Sequence, residues 1–268
     1  MDLSTSILVL KKTKLGETDL IITGLSEEGL QVRAVAKGAR RPGSKLGVHL
    51  ELFSLSRVLI HQGRNLGIIT EAQTIQANNA CRQDVAHSAG ASVVVELIDR
   101  CSADGAQEPR LFPLAMEALR CLGEVCEDGI ALIAAAGVLK IAAQLGFYPC
   151  LESCVICDCP LCDAPQGAGQ GAPQGQGSEG AVHFSYDQGG VVCAQCAAEL
   201  VEQRFPVLDG LVVKWAQVLI TSRFVDLMAY ADEKHRQLGM ILLGFAREWV
   251  RFHLVRRLKS LDFLMSFG

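Results

Sequence analysis

Leu30-Gln31-Val32-Arg33-Ala34-Val35-Ala36-Lys37-Gly38-Ala39-Arg40-Arg41 alternates apolar and polar side chains, then runs into a basic turn punctuated by glycine. That is the pattern of a half-buried strand ending in a loop. Moving outward, Ile7 to Leu10 leads to a turn at Gly16-Glu17-Thr18-Asp19, and Leu20-Ile21-Ile22 leads to a second at Ser26-Glu27-Glu28-Gly29. On the far side, Phe53 to Ile60 is followed by the turn Gln62-Gly63-Arg64-Asn65 and by Leu66 to Ile69, continuing towards Ile75. Five short strands with hairpin-like turns predict a small closed barrel over residues 1–80, of the oligonucleotide/oligosaccharide-binding (OB) type.

The chain has 268 residues and a formal charge of −4, which as a whole-chain figure argues against a nucleic-acid ligand. Split by region, the figure changes meaning. Residues 1–80 hold ten cations and seven carboxylates, a net of +3, and the remainder is net −7. Between Gly29 and Leu50 stand Arg33, Lys37, Arg40, Arg41 and Lys45 with no carboxylate. Such a stretch neutralises several phosphates at once, and its glycines allow close backbone approach. The plainer reading is a solvated loop that guards a barrel edge. Gly38 to Lys45 nearly matches a phosphate-binding P-loop, but Ser44 intervenes before the lysine. Val48, Leu50 and Leu52 beyond it alternate like a strand, so nucleotide hydrolysis is not expected.

From Asp84 the period becomes helical: Val85, Ala89, Val93 and Leu97 mark one face. Further helices are expected after Pro109, over Ile130 to Leu145, from Val207 to Leu219 after Pro206, and from Leu238 to Leu258. Lys140 and Gln144 interrupt the longest apolar run, which therefore reads as a buried helix and not a membrane span. The last helix carries Arg247, Arg251, Arg256, Arg257 and Lys259, opposed nearby only by Glu248, a second candidate nucleic-acid surface. Cys81, Cys101, Cys121 and Cys126 are expected as small core residues.

Of the 11 cysteines, six form the C-x2-C pairs Cys154/Cys157, Cys159/Cys162 and Cys193/Cys196. Two such pairs make a tetrahedral thiolate zinc site. The single residue Asp158 links the first two pairs too tightly for both to fold onto one ion, so the distant pair is needed. Residues 163–180 are a Gly/Gln/Pro tract expected to form a flexible loop. Removing those 18 residues from the 35 between Cys157 and Cys193 leaves 17, within the roughly 15 to 20 of a double-knuckle site. The expected ligands are Cys154, Cys157, Cys193 and Cys196, with Cys159/Cys162 as an alternative or auxiliary pair. Four thiolates leave no open position for water, which makes the zinc structural. The rival reading is a zinc-dependent enzyme acting on a nucleobase or small molecule, suggested by His49-Leu50-Glu51, an isolated H-x-E.

Taken in order, Gly16-Glu17-Thr18-Asp19-Leu20, Ala36-Lys37-Gly38-Ala39-Arg40-Arg41, Leu145-Gly146-Phe147-Tyr148-Pro149, Cys154-Val155-Ile156-Cys157 and Gly189-Gly190-Val191-Val192-Cys193-Ala194-Gln195-Cys196 resemble the RecO family of bacterial DNA repair proteins over essentially the whole chain. The resemblance implies a non-enzymatic recombination mediator of the RecF pathway. It would bind single- and double-stranded DNA, anneal complementary strands, work with RecR, and help load RecA onto DNA coated by single-strand binding protein. It further implies a zinc finger that stabilises the helical part, and phosphate contact by Lys37, Arg40 and Arg41 with Lys45 as neighbour. Arg33 and Lys11 complete the expected DNA-binding set. Phe53 is the only aromatic residue before position 81, so binding should be mainly electrostatic.

The expected architecture is α+β and multidomain. An OB-fold barrel at 1–80 is followed by a helical bundle at 81–149 and 201–268, interrupted at 150–200 by a zinc-finger-like insertion with four cysteine ligands. The expected location is the cytoplasm, associated with the nucleoid and away from membranes.

Overall fold

The computed structural model describes residues 2–63, 66–102, 105, 107–160, 180–200, 204–254 and 257–267. Arg64, Val255, Arg256, Cys162 and the tract 163–179 lie outside the described residues. The chain begins with a closed barrel of β1 (Asp2–Leu15), β2 (Asp19–Ser26), β3 (Gln31–Ala36), β4 (Leu55–His61) and β5 (Gly67–Gln76), in the order β1-β2-β3-β5-β4 with β4 returning to β1. Only the β3–β5 pair is parallel; the others are antiparallel. Alternation places Ile7, Val9, Ile22, Ala34, Val58, Ile60 and Ile69 inside the barrel. The opposite face of the same strands gives Leu8, Leu10 and Leu25 to the helical core.

Between β3 and β4 the structure corrects the strand expected at Val48, Leu50 and Leu52. A short helix, α1 (Lys45–His49), stands there, with Ser44 Oγ accepting the Gly47 N–H at 3.2 Å. Helical spacing sends Leu46 and Leu50 towards the barrel core and leaves Val48 69% exposed. Phe53 also departs from expectation. It precedes β4 with φ of 69° and buries its ring in the helical core, where no base can stack on it.

The helical body comprises α2 (Val85–Cys101), α3 (Leu111–Glu124), α4 (Ile130–Gln144), α6 (Gly210–Thr221), α7 (Phe224–Leu227), α8 (Arg236–His253) and α9 (Lys259–Met265). Asp84 caps α2 by accepting the His87 N–H at 2.8 Å. The centre is α4, buried from Ile130 to Leu139 and packed against α2, α3, α6 and α8. Gly239 lets α8 cross close to α4, because a Cβ there would lie 2.9 Å from the Leu132 backbone nitrogen. Lys140 Nζ donates to the Ile220 and Ser222 carbonyls at the end of α6, at 2.8 and 2.5 Å. Among the described residues no helix is long and apolar enough to cross a membrane.

Three helical expectations are corrected. Val207–Asp209 forms a strand, β8, whose backbone pairs with β6 (Ala181–Ser185), so α6 starts only at Gly210. The expected last helix divides after His253, and α9 packs back on α2 and α8. Of the four cysteines expected in the core, Cys81 and Cys121 are buried and Cys101 is half-buried, while Cys126 is exposed with its thiol donating to the Ala231 carbonyl at 3.3 Å.

The cysteine-rich region is a three-stranded sheet, β7-β6-β8, with β7 at Gly190–Val192 and a short helix α5 at Ala194–Glu199. Phe184 of β6 is fully buried with its ring edge-on to Phe245 and Trp249 of α8, at 5.3 and 6.2 Å between centroids. The region is therefore stitched to the helical body by strand pairing and by an aromatic cluster.

Candidate nucleic-acid interface and metal centre

The acidic β1–β2 turn and the basic loop after β3 interlock. Asp19 Oδ1 accepts the Gly38 N–H at 2.8 Å, and the Arg40 N–H donates to the Thr18 carbonyl at 2.9 Å. Arg40 Nη1 donates to the Gly16 and Glu17 carbonyls at 3.1 and 2.8 Å. The Gly38 N–H, then the Thr18 hydroxyl, with Arg41 and Lys37 further off, hold the Asp19 carboxyl below the usual carboxylate range. Gly38 has φ of +64°, which a side chain would strain. The loop after β3 is thus fixed to the β1–β2 turn, and its cations are placed on a firm backbone.

Beside these loops lies an open cleft of about 520 Å³, with Lys12, Lys14, Arg40, Arg41, Ser44 and Glu51 among its walls. Lys12 pairs with Glu51 at 2.9 Å. Among the described residues, Lys14, Arg40 and Arg41 form no ion pair, and neither do the exposed Lys37 and Lys45 nearby in sequence. Four cations against one carboxylate give the cleft a positive field that low-dielectric walls concentrate.

Lys12 and Lys14 escaped the sequence reading, and the reason is a β-bulge. Before it, Ile7 and Val9 point into the barrel; the register then shifts between Val9 and Lys11. The extra residue reverses the parity, so Lys12 and Lys14 face inward opposite Ile22 and Leu20. Lys11 is thereby sent to the outer face, where it pairs with Asp99 of α2 at 3.1 Å. Arg33 stands in the same cross-strand row, through Thr23. Of the expected DNA-binding residues, Arg40 and Arg41 line the cleft, and Lys37 and Lys45 are exposed on the stretches flanking them. Lys11 and Arg33 occupy the opposite side of the sheet.

The second expected basic surface is partly neutralised, and the exposed Lys259 forms no ion pair among the described residues. Arg247 and Arg257 both pair with Asp262 of α9, at 3.0 and 2.7 Å, and Arg251 pairs with Glu248 at 2.6 Å. Arg256 is outside the described residues.

In the cysteine region, residues 153–160 form a tight reversal. The Cys154 N–H donates to the Cys159 carbonyl at 2.9 Å, and Asp158 takes φ of +58°. Four thiols, those of Cys154, Cys157, Cys159 and Cys193, lie within 4.8 Å of one another. The single-residue link at Asp158 therefore does bring Cys159 to the group. The Cys157 and Cys193 sulfurs are 3.8 Å apart, and a tetrahedron with metal–sulfur bonds of about 2.3 Å has edges of about 3.8 Å. Cys196, on the first turn of α5, is buried beside Cys154 and its N–H donates to the Cys193 sulfur at 3.4 Å, but among the described residues its thiol is not one of the four within 4.8 Å of one another. Burial opposes ionisation of Cys154, but the N–H groups of Cys193, Cys157 and Ile156 outweigh it and bring the thiol to about 6. The Cys196 N–H likewise leads in lowering Cys193. Clustered thiols solvated by N–H groups are chemically suited to a soft or borderline divalent metal. Cys150 stays apart, its thiol directed at the Ser153 carbonyl at 3.3 Å.

Comparison with known proteins matches residues 1–78 to the family model "Recombination protein O N terminal" and residues 82–262 to "Recombination protein O C terminal". The chain is 30% identical over 266 residues to the DNA repair protein RecO of Pelotomaculum thermopropionicum, spanning 97% of this chain and 93% of that protein. It is 35% identical over 260 residues to the RecO of Bifidobacterium longum, with 96% of each chain covered. Against the RecO of Cutibacterium acnes the identity is 35% over 193 residues, 70% of this chain and 71% of that protein. With its barrel and its helical body matched in order by the two halves of one family, the chain belongs to the RecO family.

Proposed function

We propose that the chain is a DNA repair and recombination mediator that grips the phosphate backbone at the barrel cleft and holds complementary strands for annealing. The observation that carries the reading is the set of Lys14, at the end of β1, and Arg40 and Arg41, on the loop after β3, free of ion pairs among the described residues, with that loop locked to the β1–β2 turn through Asp19 and Gly38. Phosphate contacts of this kind position a strand without reading its bases, as annealing of arbitrary sequences requires. With Phe53 buried, the barrel offers no aromatic platform, and affinity for single- and double-stranded DNA is electrostatic.

In this reading Lys37, Arg40, Arg41 and Lys45 are the DNA-contacting residues, joined by Lys14 and, when released from Glu51, by Lys12. Cys154, Cys157, Cys193 and Cys196 hold a zinc ion that cross-links the cysteine region as a structural element. Residues 1–80 act as the DNA-binding domain and the helical parts 81–149 and 201–268 as its support, with the metal-binding insertion at 150–200. The partners are those of the family's recombination pathway: RecR, single-strand binding protein, and RecA indirectly, in the cytoplasm. The enzyme reading draws no support from the barrel. Glu51 is paired with Lys12, His49 Nδ1 bonds the Thr74 hydroxyl at 3.0 Å, and neither belongs to the cysteine group.

Binding of single-stranded DNA should weaken with salt along a log–log slope of roughly −3, for about four phosphates neutralised. The combined Lys14→Ala, Lys37→Ala and Arg41→Ala variant should flatten the slope by about 2, and strand annealing should fall with it. Arg40 is left in place because its guanidinium also holds the β1–β2 turn. An unchanged slope in a folded triple variant overturns the cleft as the DNA site.

A further inference from the structure

We propose that Cys159 and Cys196 are alternative fourth ligands to a single metal ion whose other three ligands are Cys154, Cys157 and Cys193. The inference rests on the metal reading above and extends it to a residue outside the two paired knuckles.

Two loops approach the same three thiols. From one side, the reversal at 153–160 is closed by the Ser153–Pro160 bridge and the Asp158 N–H bond to the Cys154 carbonyl at 2.8 Å. It delivers the Cys159 sulfur into the mutually close group with Cys154, Cys157 and Cys193. From the other side, α5 begins at Cys193 and carries Cys196 on its first turn, with the Cys196 N–H donating to the Cys193 sulfur at 3.4 Å. Cys154 is 1% exposed and accepts the Cys193 N–H at 3.3 Å, and such N–H groups fix the orientation of a thiolate ligand.

A structural zinc site is four-coordinate, and with Cys196 buried beside the group of four the region holds five candidate thiols for four positions. One of Cys159 and Cys196 stands by while the other binds. Their backbones are independent, one on a hairpin before the Gly/Gln/Pro tract and one on a helix after it, so exchange between them does not require the three anchors to move. The site therefore keeps its ion when either exchangeable thiol is blocked.

The test uses the full chain with Cys162→Ser throughout, so that the remaining thiol of that pair cannot substitute. Cys159→Ser, Cys196→Ser, the double variant and Cys154→Ser are compared with the parent. Zinc stoichiometry is read by native mass spectrometry, sulfur coordination by X-ray absorption, and affinity by competition with a chelator. Each single variant at Cys159 or Cys196 should keep one zinc with four sulfurs and an affinity within about tenfold of the parent. The double variant should drop to three sulfurs and lose at least about 100-fold in affinity, as should Cys154→Ser. Should Cys154→Ser fail to fold, the two single variants still decide. Loss of the ion, or of one sulfur, in Cys196→Ser alone or Cys159→Ser alone overturns the exchange. A parent chain that takes up neither zinc nor cobalt(II) overturns the metal reading itself, a result distinct from the other two.

Discussion

The barrel cleft and the corner between α8 and α9 look alike in sequence, each with several cations close together, and they differ in where the counter-charge comes from. At the cleft, Glu51 answers Lys12, and Lys14, Arg40 and Arg41 form no ion pair among the described residues. At the corner, Asp262 answers both Arg247 and Arg257, and Glu248 answers Arg251. Asp262 lies beyond the break that ends α8, so a reading along one long helix does not bring it near Arg247. Clustered cations measure the potential of a surface only after the fold has shown which carboxylates share it.

The sharpest way to break the comparison is to reverse charge at both places. Lys14→Glu with Arg41→Glu should reduce affinity for single-stranded DNA by on the order of 100-fold at low salt. Arg251→Glu with Arg257→Glu should change it by less than about threefold, because those cations are already screened by their partners. Fluorescence anisotropy across a salt series would check both. Equal losses at the two places would show that the corner is as much a DNA surface as the cleft.

A finer test lies within one strand. Lys11 and Lys14 are three residues apart on β1, so strand alternation puts them on opposite faces, and the bulge after Val9 decides that Lys14 is the one facing inward. Lys14→Ala should flatten the salt slope by about 0.7, the share of one phosphate contact on a single strand. Lys11→Ala should leave the slope unchanged and lower stability by less than about 1 kcal/mol, since its pair with Asp99 is exposed on the lysine side. Chemical denaturation and the same binding series would separate the two. A slope change from Lys11→Ala would mean that DNA extends onto the α2 side of the barrel.

The alternation of residues 31–36 and the helical period of 85–101 were enough to place barrel and bundle, because both patterns answer to burial on one face. The sequence was less informative where one residue changes the parity or the path. The bulge hid Lys12 and Lys14, and a helix cap at Ser44 turned an apparent strand into α1. At Val207 to Asp209, pairing with β6 overrode the helical spacing of the leucines and valines. The cysteine group was legible as pairs. That Asp158, in a left-handed conformation, folds Cys159 back to Cys154 depends on one backbone angle and has no signal in spacing.

The smallest expected effect concerns Asp262 itself. The Arg257 hydrogen bond, with the nearby Arg247, holds its carboxyl below the usual carboxylate range. A carboxyl depressed in the folded state adds stability that is fully present above its unfolded pKa and is lost as pH falls through the folded value. Asp262→Asn should therefore cost about 1 kcal/mol or less at pH 7, and the two proteins should converge in stability in acid below the ordinary carboxylate range. The same substitution frees two guanidinium groups. If counter-charge alone separates the corner from the cleft, the variant should bind single-stranded DNA a few-fold more tightly at low salt, with a slope steeper by about 1. Unaltered binding in a variant that does show the expected loss of stability would locate the difference in shape: the cleft presents its cations from the end of β1 and from the loop after β3 along an open wall, and the corner does not.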